Sequence, residues 1–264
     1  MNALQEMNEQ EQIIKLEIMV RSDRVFEEVY DADSPRVIEE TKIFTERAKI
    51  PTIFNGTWDR LKTKSSLNME IIGTFWHHFS SLAPQVMCIA AAKVSNNLMR
   101  HYVVQVIFEE LGSRNHRMIH PDIFLDCLGK LEVSDSRRGE LVNKYLSYLS
   151  FDYLIKIMNE ADSDSKLLGI LLGLEIDANE NISTVYDALS YSDEAEELVK
   201  KSPFFVMHKV VEDEHIRLDV SNYLRFCPTE KNKEEFREGF DQAVLFWKMY
   251  WHGISRIIDK EKMI

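Results

Sequence analysis

Between Phe204 and Asn222 the chain reads F-F-V-M-H-K-V-V-E-D-E-H-I-R-L-D-V-S-N. On a helix, at about 100° per residue, His208, Glu212 and His215 fall near ~0°, ~40° and ~−20°. Three side chains able to bind a metal therefore share one narrow stripe. Phe204, Phe205, Val211 and Leu218 lie on or near it, so the stripe is also a core face. Two imidazoles and a carboxylate in an interior are costly unless something satisfies them. A metal ion would do so, because His and Glu suit Fe, Mn and Zn. Such triples also occur by chance in acidic helices, so the rest of the chain has to supply further donors.

The rest of the chain is helical in pattern. Nine Gly and six Pro in 264 residues are few, and period-3.6 apolar spacing outweighs strand-like alternation. The pattern predicts an amphipathic helix over 3–20 and a second helix opened by Ser34-Pro35, with Pro in its first turn. A loop follows over 51–56. Aromatic-rich 67–80 and strongly apolar 82–108 are further helices, the latter continuous or broken near Asn96-Asn97. Glu109-Glu110-Leu111-Gly112 closes it, with glycine as the stop. His120-Pro121 opens the next helix, 138–160 follows, and 166–178 is very apolar. Residues 179–198 form a short irregular or helical connection. A final helix after Pro228 carries Phe236, Phe240, Val244, Trp247, Trp251, Ile254 and Ile257 as an apolar stripe.

No linker, repeat or low-complexity segment interrupts this pattern. One domain over 1–264 is expected, with 1–66 as a helical extension packed on it. A net charge of −12 without a basic block argues against a nucleic-acid or anionic-membrane partner. No apolar run approaches the ~20 residues of a bilayer span. The acidic start M-N-A-L-Q-E-M-N-E-Q-E-Q is unlike a secretory signal. Cys88, Cys127 and Cys227 are too far apart for a zinc knuckle. They read as reduced buried thiols in a cytoplasmic protein.

Outside the 204–222 stretch the most informative acid is Glu175. It shares a helical face with Leu168, Leu171 and Leu172, which predicts a raised pKa or a cationic partner. A Glu at a helix end (Glu109 or Glu110) and a His after the loop (His120 or His116) extend the set. Three carboxylates and three imidazoles on four helices suit two divalent ions, with coordination positions left for O2 and substrate. Ferritin-type bundles use Glu-x-x-His on two helices. Here Glu212/His215 is the one instance, so that bundle fits poorly.

The pieces E-E-L-G at 109–112, H-P-D-I-F at 120–124, G-L-E at 173–175 and F-F-V-M-H-K-V-V-E-D-E-H at 204–215 resemble those of the haem-oxygenase-like di-iron oxidases and oxygenases. That fold is shared with TenA, PqqC and CADD, and the resemblance covers roughly residues 65–260. It implies an all-α haem-oxygenase-like bundle of about seven core helices with extra N-terminal helices. It also implies Glu109, His120, Glu175, His208, Glu212 and His215 as both metal ligands and catalytic residues. Glu212 stands where the family has Asp, and Leu174 where CADD has a tyrosine. The expected cofactor is two Fe(II) ions, or an Fe/Mn pair, with O2 as co-substrate. The expected reaction is N-oxygenation of an amine or oxidative C–C cleavage of an amino or fatty acid, as an oxidoreductase of specialised metabolism. Phe75, Trp76, Phe79 and Leu171 are expected to line the substrate pocket. Partners would be that small molecule, an electron donor and a second copy of the chain. The alternatives are a TenA- or PqqC-like enzyme without the di-iron site and a non-enzymatic helical interaction protein.

Overall fold

The computed structural model describes residues 34–49 and 60–263, apart from the side chains of 209–214. Among these residues there are eleven α-helices and no strand. They are α1 (Pro35–Ala48), α2 (Ser66–Lys93), α3 (Asn97–Glu110), α4 (His120–Lys130), α5 (Asp135–Tyr145), α6 (Phe151–Glu160), α7 (Asp164–Glu175), α8 (Ala178–Leu189), α9 (Asp193–Lys200), α10 (Pro203–Phe226) and α11 (Glu230–Glu261). This is the all-α bundle that the helical periodicity predicts. The expected helix over 3–20, the loop over 51–56 and most of the 1–66 extension lie outside the described residues.

Polar caps set most of the boundaries. Ser34, Ser65, Asn96, Ser134, Ser163 and Ser192 each accept a backbone N–H of the first turn of the helix they precede. Thr229 and Asn232 form a reciprocal capping box at α11. The chain does not break at Ser81. Helix α2 runs through Pro84, and the interruption comes at 94–96, where Asn96 caps α3. The predicted 138–160 helix is two, α5 and α6, joined by a 3-10 turn at Leu146–Tyr148. The 179–198 connection is also two helices, α8 and α9.

Helix α11 is the post on which the core is assembled. Phe236, Phe240, Phe246, Trp247, Tyr250 and Trp251 are all almost fully buried. Helix α7 lies directly against it because glycine removes the side chains between them. A Cβ on Gly169 would stand 2.0 Å from the Phe236 carbonyl oxygen, and one on Gly239 would stand 2.1 Å from that of Lys166. Backbone contact this close fixes the depth of α7 and hence of Glu175 at its last turn. Trp247 Nε1 donates to the Leu174 carbonyl at 3.1 Å, a further tie at the same level.

Candidate metal centre

Four helices bring the donors together. Helix α3 ends in a tight glycine turn: Gly112 has φ +77, its N–H donates to Glu109 O at 2.8 Å, and the Ser113 N–H donates to Phe108 O at 2.7 Å. Those paired bonds satisfy the last carbonyls and reverse the chain. A Cβ on Gly112 would sit 2.5 Å from Asn115 O, so the turn has no room for one. The reversal leads through a 3-10 turn at His116–Met118 to His120, the first residue of α4.

Glu110, His120 and His208 form a group whose potential ligand atoms all lie within 4.8 Å of one another. Glu110 Oε2 stands 3.0 Å from His120 Nδ1. The approach is not aligned as a hydrogen bond, and Nδ1 of this 3%-exposed histidine makes none. His208 is 7% exposed, and its Nδ1 donates to the Phe204 carbonyl at 2.7 Å. That bond sets the tautomer and gives Nε2 the lone pair a metal needs. The two imidazoles meet with ring centroids 4.9 Å apart.

The electrostatics agree with this geometry. Burial alone would push the Glu110 carboxyl up, but the His120, His208 and His215 imidazoles overrule it and hold it at about 2. Burial, helped by His120, holds His208 down at about 3, so it is neutral over the working pH range. Burial and the nearby Glu110 raise Glu175 against the pull of His215 and His120. An ionised Glu110, a neutral His208 and a Glu175 carboxyl raised toward its acid form make up a donor set that positive charge would complete.

Glu175 borders two cavities. The larger, about 60 Å³, also has Glu110, His120 and His208 on its wall, with Trp76, Phe79, Leu174, Phe204, Trp247 and Asn181. The smaller, about 20 Å³, has His215 and Asp219 beside Tyr102, Val103, Leu168, Leu171 and Asn222. Of the four residues expected to line a substrate pocket, Trp76 and Phe79 line the larger cavity and Leu171 the smaller. Phe75 lines neither and is fully buried in the core.

The six residues expected as ligands thus fall as follows. His120 and His208 stand together, and Glu175 shares their cavity. His215 faces the smaller cavity, and its Nε2 donates to Glu109 Oε2 at 2.9 Å. Glu109 therefore engages His215, while its neighbour Glu110 meets His120 and His208. Glu212 is carried by α10, but its side chain lies outside the described residues. His116 is in the 3-10 turn. One acid was not singled out from the sequence: Asp219, one turn beyond His215. Burial and Glu175 raise it to about 8, and Asn222 bonds to it. The signal was its spacing, since His208, Glu212, His215 and Asp219 continue one stripe.

The thiols sit elsewhere. Cys127 and Cys227 are buried with pKa values pushed up by burial, and neither lines these cavities. Cys88 is exposed, contrary to the expectation of a buried thiol, because it falls on the outward side of α2. No helix among the described residues is long and apolar enough to cross a membrane.

Residues 75–248 match the profile of a haem-oxygenase-like family described as an iron-containing redox enzyme. Two crystal structures of a CADD-like protein of unknown function from Nostoc punctiforme have the same fold. They have TM-scores of 0.62 and 0.59 and 15% identity, and they cover 83% and 86% of this chain and 98% of theirs. A search of curated protein sequences finds no match.

Proposed function

The chain belongs to the iron-containing redox enzyme family, and from that premise we propose that it is a non-haem di-iron enzyme that uses O2 to oxidise a small organic substrate. The observation that carries the proposal is the group of Glu110 with the buried His120 and His208 at the wall of a largely apolar cavity. Nitrogen and carboxylate donors suit iron, and the unsatisfied Nδ1 of His120 is the kind of buried polar atom an ion would complete. In this reading Glu110, His120 and His208 would hold the first ion. His215, with Glu212 one helical turn from His208, would hold the second, and Glu175, which borders both cavities, would be available to either. Bound iron would supply the electrons for O2 and the oxidising power toward the substrate.

The chain's own residues do the rest. The Phe204 carbonyl fixes the His208 ring, and Glu109 orients His215 through its Nε2–H. Trp76, Phe79, Leu174, Phe204 and Trp247 give the substrate an apolar wall and exclude water. Ferrous ion titrated anaerobically into the metal-free protein, followed by exposure to air, tests the proposal. Binding of about two ions per chain and a transient visible absorption are expected. No iron binding, or a full two ions per chain still bound after His208→Ala together with Glu110→Ala, would sink it.

A further inference from the structure

The larger cavity carries a second polar feature besides the metal donors. Trp76 on α2 is 4% exposed and Asn181 on α8 is 1% exposed, and both line it. Trp76 Nε1 makes no hydrogen bond. Asn181 Oδ1 accepts from Trp251 Nε1 at 2.8 Å, which fixes how the amide is turned. Its Nδ2 is then a donor, and it too has no partner. Buried donors are almost always satisfied. Two residues that line one cavity thus each carry a buried N–H without a partner, and an acceptor that arrives with a ligand would satisfy both. No Lys or Arg is among the residues lining this cavity, so the recognition is by uncharged donors. The stacking of Trp76 on Trp247 and Trp251, with centroids 5.9 and 6.2 Å away, holds the indole in place.

We propose that Trp76 Nε1 and Asn181 Nδ2 together grip a carboxylate or carbonyl oxygen of the substrate. The enzyme would thus act on a small acyl compound and not on a simple amine. This rests on the redox-enzyme reading above and narrows its substrate class. A substrate held by its oxygen end at this pair lies in the cavity that Glu110, His120, His208 and Glu175 border, so its remaining atoms are presented to the metal donors.

Butyrate, butyramide and butylamine are matched probes. Their binding to the purified, metal-free full chain is measured by thermal shift and calorimetry. Butyrate or butyramide is expected to bind and butylamine not, and the better of the two acyl probes reports whether the acceptor is charged. Trp76→Phe keeps the aromatic stack and removes one donor, so it should weaken acyl binding about five- to tenfold. Asn181→Asp still accepts from Trp251 but replaces the donor by an acceptor, and should abolish it. Circular dichroism checks that the helices persist; if Asn181→Asp loses them, Trp76→Phe decides alone. Butylamine binding as well as the acyl probes, no probe binding at all, or acyl binding unchanged in Trp76→Phe would each overturn the proposal. Iron stoichiometry is measured separately. Failure to bind iron would sink the parent reading, whereas failure of the probes with iron binding intact would sink only this one.

Discussion

Adjacent residues on α3 have different partners. Glu110 meets His120 and His208, and Glu109 accepts from His215. Removing Glu110 leaves two buried imidazoles without their anion, so Glu110→Ala should abolish iron binding at the first position. Glu109→Ala removes only an orienting hydrogen bond. Iron affinity at the second position should then fall about 10- to 100-fold, as is typical when such an outer partner is lost. Iron titration of both variants separates the roles, and equal losses would show that the division is mistaken. His208 depends on its carbonyl partner in the same way, since a histidine with the other tautomer would turn a proton toward the metal.

At the scale of elements, the contact of α7 with α11 decides where Glu175 stands. Gly169, Gly173 and Gly239 let the backbones touch, and a methyl on Gly169 would have to displace the Phe236 carbonyl. Gly169→Ala should therefore cost at least about 1–3 kcal/mol despite its better helix propensity. The forced shift of α7 should also weaken iron binding through Glu175. Chemical denaturation checks the first effect and iron titration the second. Unchanged stability would mean that the helices part without strain. Helix α10 acts differently, because it carries His208, His215 and Asp219 on one stripe and so gathers the donors of α3, α4 and α7.

For the whole molecule, the donor cluster should make stability depend on pH and, if iron binds as proposed, on metal. Asp219 and Glu175 have folded pKa values above their ordinary ones. The folded chain therefore binds more protons than the unfolded one, and their contribution is lost as pH rises through the folded values. His208, held at about 3, has the opposite sign: stability rises with pH up to its ordinary value near ~6.5. The carboxyl effect is thus isolated between about pH 6.5 and 8. There the metal-free protein should lose about 1–2 kcal/mol, and Asp219→Asn should flatten the fall. Denaturation at the two pH values measures it, and a flat wild-type profile would refute the account. Iron should restore the loss, with each ion adding about 2.7 kcal/mol at a hundredfold excess over its dissociation constant. A melting temperature indifferent to iron would contradict this.

The sequence by itself determined the helical class, because few Gly and Pro and a persistent 3.6 period leave no room for a sheet. It also pointed to His208 and Glu175 as inward, because both stand among apolar residues and a polar group there must be satisfied whatever the topology. Between His120 and His116 the residues alone left the choice open, and the fold buries His120. The choice between Glu109 and Glu110 was not legible. Neighbouring residues on a helix point about 100° apart, and only the packing of α3 against α4 and α10 says which faces which histidine. Asp219 was legible in its spacing, since it continues the stripe of His208, Glu212 and His215, although it was not singled out. That Trp76 and Asn181 line one cavity was hidden, because it depends on contacts between helices far apart in the chain, of which local periodicity carries no record.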